Sequence, residues 1–304
     1  MSKVSIIIPA RGEKEENLRR TVDSIYANAT GEFEVIVGFN EPPYHIDPRY
    51  KHIQFPENVG IKTNINALAA TATGKYIYKS DAHCSFGKGF DEILQADMQD
   101  DWIVMPRFYV LNGETWEWQD ERFYDYFYLS CPFTDPRGFR FKAGGHWPER
   151  TKERDRITNL QPKSIVSDHA FPEIDETPQI HGSGWFMTKD RFFELGGFPN
   201  IDPYGHAQEP AWLALKNWLM GGKVMVNKKT WYAHLHQDGN VKGYRYTREQ
   251  ERHSYDIAAR HFVGDKGNYL HNFEWFVEKF MPMPTWPENW KVLLDDWKKE
   301  NHGL

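Results

Sequence analysis

Only two cysteines, Cys84 and Cys131, occur in a chain of 304 residues. So sparse a supply implies no disulfide framework and points to a reducing compartment. Long hydrophobic runs are missing too, and none approaches the ~18 apolar residues a membrane-spanning helix needs. The opening MSKVSIIIPARGE holds one apolar burst, ended by Pro9 and too short for a signal peptide. The expectation is therefore a cytoplasmic protein. Neither an internal repeat nor a low-complexity tract occurs. Positive charge is not in excess: 37 Lys and Arg face 43 Asp and Glu, for a formal net charge of -6. That balance gives no global attraction towards nucleic acid or an anionic membrane.

Apolar and aromatic residues are plentiful, at 40% and 15% of the chain, with 12 Trp and 15 Tyr. This is enough to build a core and argues against disorder. The length suits one large domain, or one domain with an appendage. Aromatic rings stack well on sugars and bases, yet core filling is their more frequent use.

The first 110 residues alternate strand and helix signals. KVSIII (Lys3 to Ile8) reads as a short buried strand, followed by a helix carrying Leu18, Val22, Ile25 and Tyr26 on one face. FEVIVGF (Phe33 to Phe39) is a second strand, which the following EPPY cannot extend. HIQF is a third. Asn58 is placed to cap a helix whose Ile65, Leu68, Ala69 and Ala72 form one stripe. Tyr76 to Ser80 is a fourth strand, and DWIVMPRFYVL carries a fifth. Such alternation predicts an α/β fold with a mostly parallel, Rossmann-like central sheet flanked by helices. Ligands bind such sheets beyond the carboxyl ends of the strands, where Arg11, Asn40 and Asp81 to His83 all fall.

Residues 112–178 lose this periodicity and read as an irregular basic and aromatic insertion or lid. Between Arg137 and Lys163 eight cations (Arg137, Arg140, Lys142, Arg150, Lys152, Arg154, Arg156, Lys163) stand against Glu149, Glu153 and Asp155. Such a stretch is either a solvated loop or a groove that meets phosphate groups. Strand and helix signals return at QIHGSGWFMTKDRFFELGGF, then at a helix opening near Glu209 with Trp212, Leu215 and Leu219 on one side. The strand KVMV and the segment KKTWYAHLHQ follow. Residues 1–244 are expected to form the main domain, and 245–304 a C-terminal helical extension.

Asp81-Ala82-His83 stops an apolar alternating run. Residues two apart in extended chain point the same way, so a carboxylate and an imidazole are offered together. An oxygen and a nitrogen ligand so placed suit a divalent cation such as Mn or Zn, although short polar pairs at strand ends also serve turns.

Four blocks in order resemble nucleotide-sugar glycosyltransferases of the GT-A fold, family 2 type, over roughly residues 3–236. They are VSIIIPARGE, ENVGIKTNINALAATATGKYIYKSDAH, GSGWFMTKDRFFELGGF and GHAQEPAWLALKNWLMGGKV. The DAHC tetrapeptide, with Pro210 in place of an Asp after Glu209, is closer to the polypeptide N-acetylgalactosaminyltransferases. The resemblance implies a metal-dependent glycosyltransferase using a nucleoside-diphosphate sugar, with UDP the first choice. Asp81 and His83 match the family's Asp-x-His metal motif. His234 is the matching third ligand, with His236 as the alternative. Mn2+ is the first choice of cation and Mg2+ the second.

Pro9, Arg11, Asn40, Asn58, Gly60, Lys62, Ser80 and Asp81 fall where the family holds the nucleoside and its phosphates. Family members usually carry Asp where Asn40 stands; Asn40 offers an amide to a uracil edge instead. His181, Gly182, Gly184 and Trp185 fall on the sugar and acceptor side, Trp185 being suited to stacking on a sugar face. Glu209 is either a helix-capping residue or the base for the acceptor hydroxyl. If it is not the base, the reaction retains configuration and a leaving-phosphate oxygen assists, towards which DAHC leans.

The acceptor implied is a glycan or surface polysaccharide, or a hydroxymethylated DNA base. A DNA acceptor would engage the basic stretch and Arg245, Arg248 and Arg252. Two other classes remain. A non-haem iron oxygenase uses two His and one carboxylate, generally on an all-β scaffold. A catalytically inactive GT-A module would bind a sugar or a partner without turning it over.

Overall fold

A computed structural model describes residues 2–40, 46–136, 139–159, 173–200, 208–236 and 247–301. The amino-terminal half follows the alternation of the sequence: β1 (Val4–Ala10), α1 (Glu15–Asn28), β2 (Phe33–Phe39), β3 (Lys51–Gln54), α2 (Gly60–Thr71) and β4 (Tyr76–Ser80). These strands pair in parallel in the order β3-β2-β1-β4, with Ile6 opposite both Val35 and Tyr78. Val4, Ile6, Ile7 and Ile8 have no exposed surface, which is why β1 reads as an unbroken apolar run.

Helix α1 turns Leu18, Val22 and Ile25 into the core, as its spacing demands. Tyr26, placed by the sequence on the same face, is instead 41% exposed, with its hydroxyl on the Arg49 carbonyl. At the entrance to α2 the cap position belongs to Val59. That is one residue later than expected, although Asn58 still accepts the Gly60 amide at 3.0 Å. The EPPY segment lies outside the described residues.

After β4 come β5 (Cys84–Phe86), α3 (Phe90–Ala96), β6 (Trp102–Leu111), β7 (Trp118–Tyr124), β8 (Phe127–Leu129), β9 (Ala143–His146), α4 (Pro148–Asn159) and β10 (Ile174–Glu176). Then follow β11 (Gly184–Thr188), α5 (Lys189–Glu194), α6 (Glu209–Leu219) and β12 (Lys223–His234). Here the sheet becomes mixed. Strand β11 lies antiparallel between β4 and β6, β12 runs parallel to β6, and the order is β10-β12-β6-β11-β4-β1-β2-β3.

The part of 112–178 that is described is not irregular. Strand β7 pairs with β6, β8 with β9, and β10 closes the edge beside β12. Strand β7 is mostly exposed on both faces, so it carries no alternation for a sequence pattern to detect.

The carboxy-terminal helices are α7 (Arg248–Phe262), α8 (Phe273–Phe280) and α9 (Trp290–Glu300). Helix α7 opens with a capping box between Thr247 and Gln250. Its Tyr255 and Phe262, with Phe273 and Phe276 of α8, join the same core as Phe141, Trp212 and Trp218. Among the described residues no helix is long and apolar enough to cross a membrane.

Candidate metal centre and donor cleft

Strand β4 ends at Ser80, and the next amide, that of Asp81, is taken by the Ser183 carbonyl at 3.0 Å. The chain turns through Ala82 and His83 into β5, which pairs antiparallel with the end of β12 so that Cys84 faces His234. This register sets the His83 and His234 rings 4.7 Å apart. The ligand atoms of Asp81, His83 and His234 all lie within 4.8 Å of one another. Asp81 keeps 25% of its side chain exposed, so the cluster opens to one side.

The donor set fits a divalent cation. His234 Nε2 sits 3.2 Å from an Asp81 oxygen, and among the described residues neither nitrogen of that buried ring has a partner in hydrogen-bonding geometry. Burial pushes His234 down to about 3, which keeps it a neutral imidazole with a lone pair to give. His236 is exposed, with its ring 5.0 Å from that of His234, and it is not among the three converging residues.

Two residues that sequence reasoning missed orient these ligands. Glu13, on the loop after β1, is 8% exposed and puts Oε2 2.7 Å from His83 Nδ1. Burial alone would lower His83, but Glu13 more than reverses this and raises it. A carboxylate on Nδ1 leaves Nε2 as the ligating atom. Lys79 has no exposed surface, and its ammonium donates to Asp81 Oδ1 and, at 2.6 Å, to the Gly182 carbonyl. Burial would raise the Asp81 carboxyl, yet Lys79 and His234 outweigh it and hold it well below the usual range. The signal for Lys79 was available: a lone cation inside the buried strand YIYKS must have an anionic or carbonyl partner. Glu13→Ala is expected to weaken Mn2+ binding about 10–100-fold, with Glu13→Gln intermediate because it keeps an acceptor oxygen. Calorimetric titration of Mn2+ measures both.

Near the cluster, on the far side of Gly182, Glu209 opens α6, is 3% exposed, and its Oε2 has no hydrogen-bonding partner among the described residues. Burial pushes its carboxyl up to about 8, against the opposing pull of Lys79. A helix N-terminus favours a carboxylate, but the loss of water outweighs that here. Gly182 lies close against this carboxyl: a Cβ there would come within 2.9 Å of Glu209 Oε1.

The remaining candidates divide. Gly60 starts α2 at φ +79°, a conformation open to glycine, and Pro9 lies half-buried in β1 opposite Gly38. Arg11 is half-buried on the loop after β1. Lys62 is fully buried and donates to Gln208 at 2.6 Å, tying α2 to α6. Asn40 is also buried, and its amide makes long, 3.4 Å contacts with the Val59 amide and the Gly60 carbonyl. It braces the entrance to α2, and the expected uracil contact competes with that task. Ser80 is buried, with its hydroxyl on the Asp81 carbonyl.

His181 stacks on Phe108 at 4.7 Å, and its Nδ1 lies 2.6 Å from the Ser183 hydroxyl. Burial holds His181 well below its ordinary value. Gly184 lies under the Tyr232 ring, where a Cβ would come within 2.8 Å. Trp185 corrects an expectation: it has no exposed surface and stacks on Phe192 in the core, since the residue faces inward from a strand covered on both sides.

Part of the basic stretch is committed elsewhere. Arg140 pairs with Glu251 at 2.8 Å, and Arg150 donates to the Glu176 carbonyl at 3.0 Å. These two guanidinium groups hold the fold together, so for Arg140 and Arg150 neither the solvated-loop nor the phosphate-groove reading applies. Arg137, Lys163 and Arg245 lie outside the described residues.

A mixed α/β sheet that carries a carboxylate and two imidazoles at the ends of β4 and β12, with a buried glutamate at a nearby helix start, is the architecture of a GT-A fold. Residues 5–156, half of the chain, match the model for Glycosyl transferase family 2. The chain belongs to that family.

Polypeptide N-acetylgalactosaminyltransferase 5 of Caenorhabditis elegans is 27% identical over 161 residues, covering 52% of this chain and 22% of that protein. Putative polypeptide N-acetylgalactosaminyltransferase 13 of Drosophila melanogaster is 22% identical over 231 residues, or 74% of this chain and 35% of its own length. The chain thus spans about a fifth to a third of these relatives.

Among solved structures, GalNAc-T7 with UDP, GalNAc and Mn2+ superposes with a TM-score of 0.67 at 17% identity, over 92% of this chain and 56% of that one. S. aureus TarS 1-349 in complex with UDP-GlcNAc gives 0.53 at 14% identity, over 90% and 69%. The α/β scaffold and the family membership remove the iron-oxygenase alternative.

Proposed function

We propose that this chain transfers a sugar from a nucleoside-diphosphate sugar, with UDP as the nucleotide and Mn2+ ahead of Mg2+ as the cation, to a hydroxyl acceptor. The observation that carries the proposal is the convergence of Asp81, His83 and His234 within 4.8 Å, with the buried Glu209 close by beside Gly182. The likeness in fold to GalNAc-T7, solved with UDP, GalNAc and Mn2+, supports it. When bound, such a cation supplies Lewis-acid neutralisation of the departing diphosphate.

The chain's own residues do the rest. Glu13 and Lys79 fix the orientation of the ligands. Pro9, Arg11, Asn58, Gly60 and Ser80 flank the donor side, while Asn40 and Lys62 brace the segment opening α2. His181, Gly182 and Gly184 form the sugar and acceptor side. Glu209 accepts the proton of the attacking hydroxyl; a carboxyl pushed up to about 8 is tuned for that work near neutral pH.

The acceptor we favour is a glycan, because Arg140 and Arg150 are already bound within the fold. A hydroxymethylated DNA base is the other acceptor with a suitable hydroxyl. Labelled-sugar transfer to glycans and to hydroxymethylated DNA, at low and high salt, separates them. Transfer to DNA that weakens steeply with salt would replace the glycan. A thermal-shift matrix of nucleotide sugars with and without Mn2+ tests the donor, and stabilisation should need both components. Binding without transfer to any acceptor would make the chain a non-catalytic sugar-binding module.

A further inference from the structure

A third imidazole stands beside the metal centre and takes no part in its donor set. His181, between β10 and β11, is half-buried, with the Phe108 ring stacked on it at 4.7 Å and 11°. Its ring lies 5.5 Å from that of His234, yet it is not among the three converging residues.

The hydrogen bonds of its inner nitrogen explain why. Nδ1 meets two groups of one residue, the Ser183 amide at 3.3 Å and the Ser183 hydroxyl at 2.6 Å. An amide N–H can only donate, so Nδ1 carries no proton and its lone pair is taken. The neutral ring then bears its proton on Nε2. Ser183 Oγ also lies 3.1 Å from the hydroxyl of Tyr232, a residue with no exposed surface. With the Ser183 proton given to Nδ1, that oxygen is left to accept from Tyr232. The bonds run one way, from Tyr232 through Ser183 to His181, and fix the tautomer. Where His83 and His234 offer lone pairs, His181 offers an N–H. Its Nε2 has no hydrogen-bonding partner among the described residues.

We propose that His181 selects the transferred sugar, its Nε2–H donating to a hydroxyl or carbonyl oxygen of that sugar, with Ser183 and Tyr232 as positioning residues. This inference rests on the transferase proposal and names what that site discriminates. In such a transfer the sugar lies between the diphosphate, at the Asp81–His83–His234 end, and the attacking hydroxyl, at Glu209. His181 flanks both ends. Its ring adjoins that of His234, and on the next residue, Gly182, a Cβ would come within 2.9 Å of Glu209 Oε1. A neutral donor suits an uncharged oxygen, whereas a diphosphate is better matched by a charged one. A single directed bond favours sugars that hold an oxygen at that place over those that do not.

The test is calorimetric titration of the full chain in Mn2+ with UDP, UDP-glucose, UDP-galactose, UDP-N-acetylglucosamine and UDP-N-acetylgalactosamine. The parent should rank these sugars, with the best bound about tenfold more tightly than the weakest. His181→Phe keeps a ring on Phe108 and loses the N–H. It should weaken the preferred sugar nucleotide about tenfold, the cost of one lost hydrogen bond, and leave UDP within about twofold. His181→Gln, whose side-chain amide reaches towards the Nε2 position, should recover part of that loss. Ser183→Ala and Tyr232→Phe should convert the His181 nitrogen-15 signals, read without ligand, from the Nε2–H tautomer to a mixture. Both should also weaken the preferred sugar, and they carry the test if His181→Phe does not fold. An unchanged ranking in His181→Phe would overturn the inference, as would a parent ring protonated on Nδ1. Equal losses for UDP and its sugars would place His181 on the diphosphate instead. Failure of the parent to bind UDP with Mn2+ would remove the transferase proposal, whereas UDP binding without any sugar preference would sink this inference alone.

Discussion

Asp81→Asn is expected to erase the extra thermal stabilisation that Mn2+ gives to UDP binding, and to cut sugar transfer by about 1,000-fold or more. The magnitude follows from losing the only carboxylate among the three converging ligands, since Lewis-acid stabilisation of a developing charge contributes several kcal/mol. A further consequence is structural. Lys79 has no exposed surface and shares its charge with Asp81 and the Gly182 carbonyl. Removing the anion leaves a buried cation short of a partner, and destabilisation of about 3 kcal/mol follows. The double variant Lys79→Met with Asp81→Asn should therefore recover stability but not Mn2+ binding. Thermal melts with and without UDP and Mn2+ read both effects. A single Asn variant that keeps full metal dependence would end the assignment of Asp81 as a ligand.

Glu209→Gln is expected to lower transfer by roughly 100- to 10,000-fold while making the protein more stable at pH 8. The stability effect has a definite sign. The Glu209 carboxyl is raised from 4.5 to about 8 in the folded chain by burial. Below pH 4.5 it is protonated folded or unfolded, and the folded state bears no penalty. Between pH 4.5 and about 8 the unfolded chain releases its proton and the folded chain holds it, so stability falls as pH rises. Above that window the full penalty remains, on the order of a few kcal/mol. Glutamine carries none of it. Its advantage should thus be absent near pH 4.5 and reach roughly 5 °C in Tm by pH 8. Calorimetric melts across that range measure it. In the same window the parent's transfer rate should climb as the carboxylate forms. A rate that is flat in pH and survives in the Gln variant would assign the proton to a phosphate oxygen instead.

Much of this site is written locally. Asp81 and His83 stand out because two residues on one strand end share a direction whatever the rest of the chain does. Glu209 is legible because it is the lone acid opening the apolar helical segment EPAWLALKNWL, nearly all of which is buried. Glu13 and Trp185 are different cases. Glu13 is an ordinary loop acid until the fold brings it 2.7 Å from His83, seventy residues away. Trp185 has the character of a sugar platform until β11 inserts between β4 and β6 and covers it. Arg140 and Arg150 likewise read as available in the sequence, and only their distant partners show that they are spoken for.

By itself, then, the sequence determined the parallel half of the sheet, its two crossover helices and the residue types at the strand ends, because apolar periodicity and short-range geometry are local properties. Tertiary structure alone decided that His234 and not His236 meets Asp81 and His83, since that choice rests on the register of β12 against β5. It also decided the protonation of Glu209, because the water around a carboxyl is removed by segments remote in the chain.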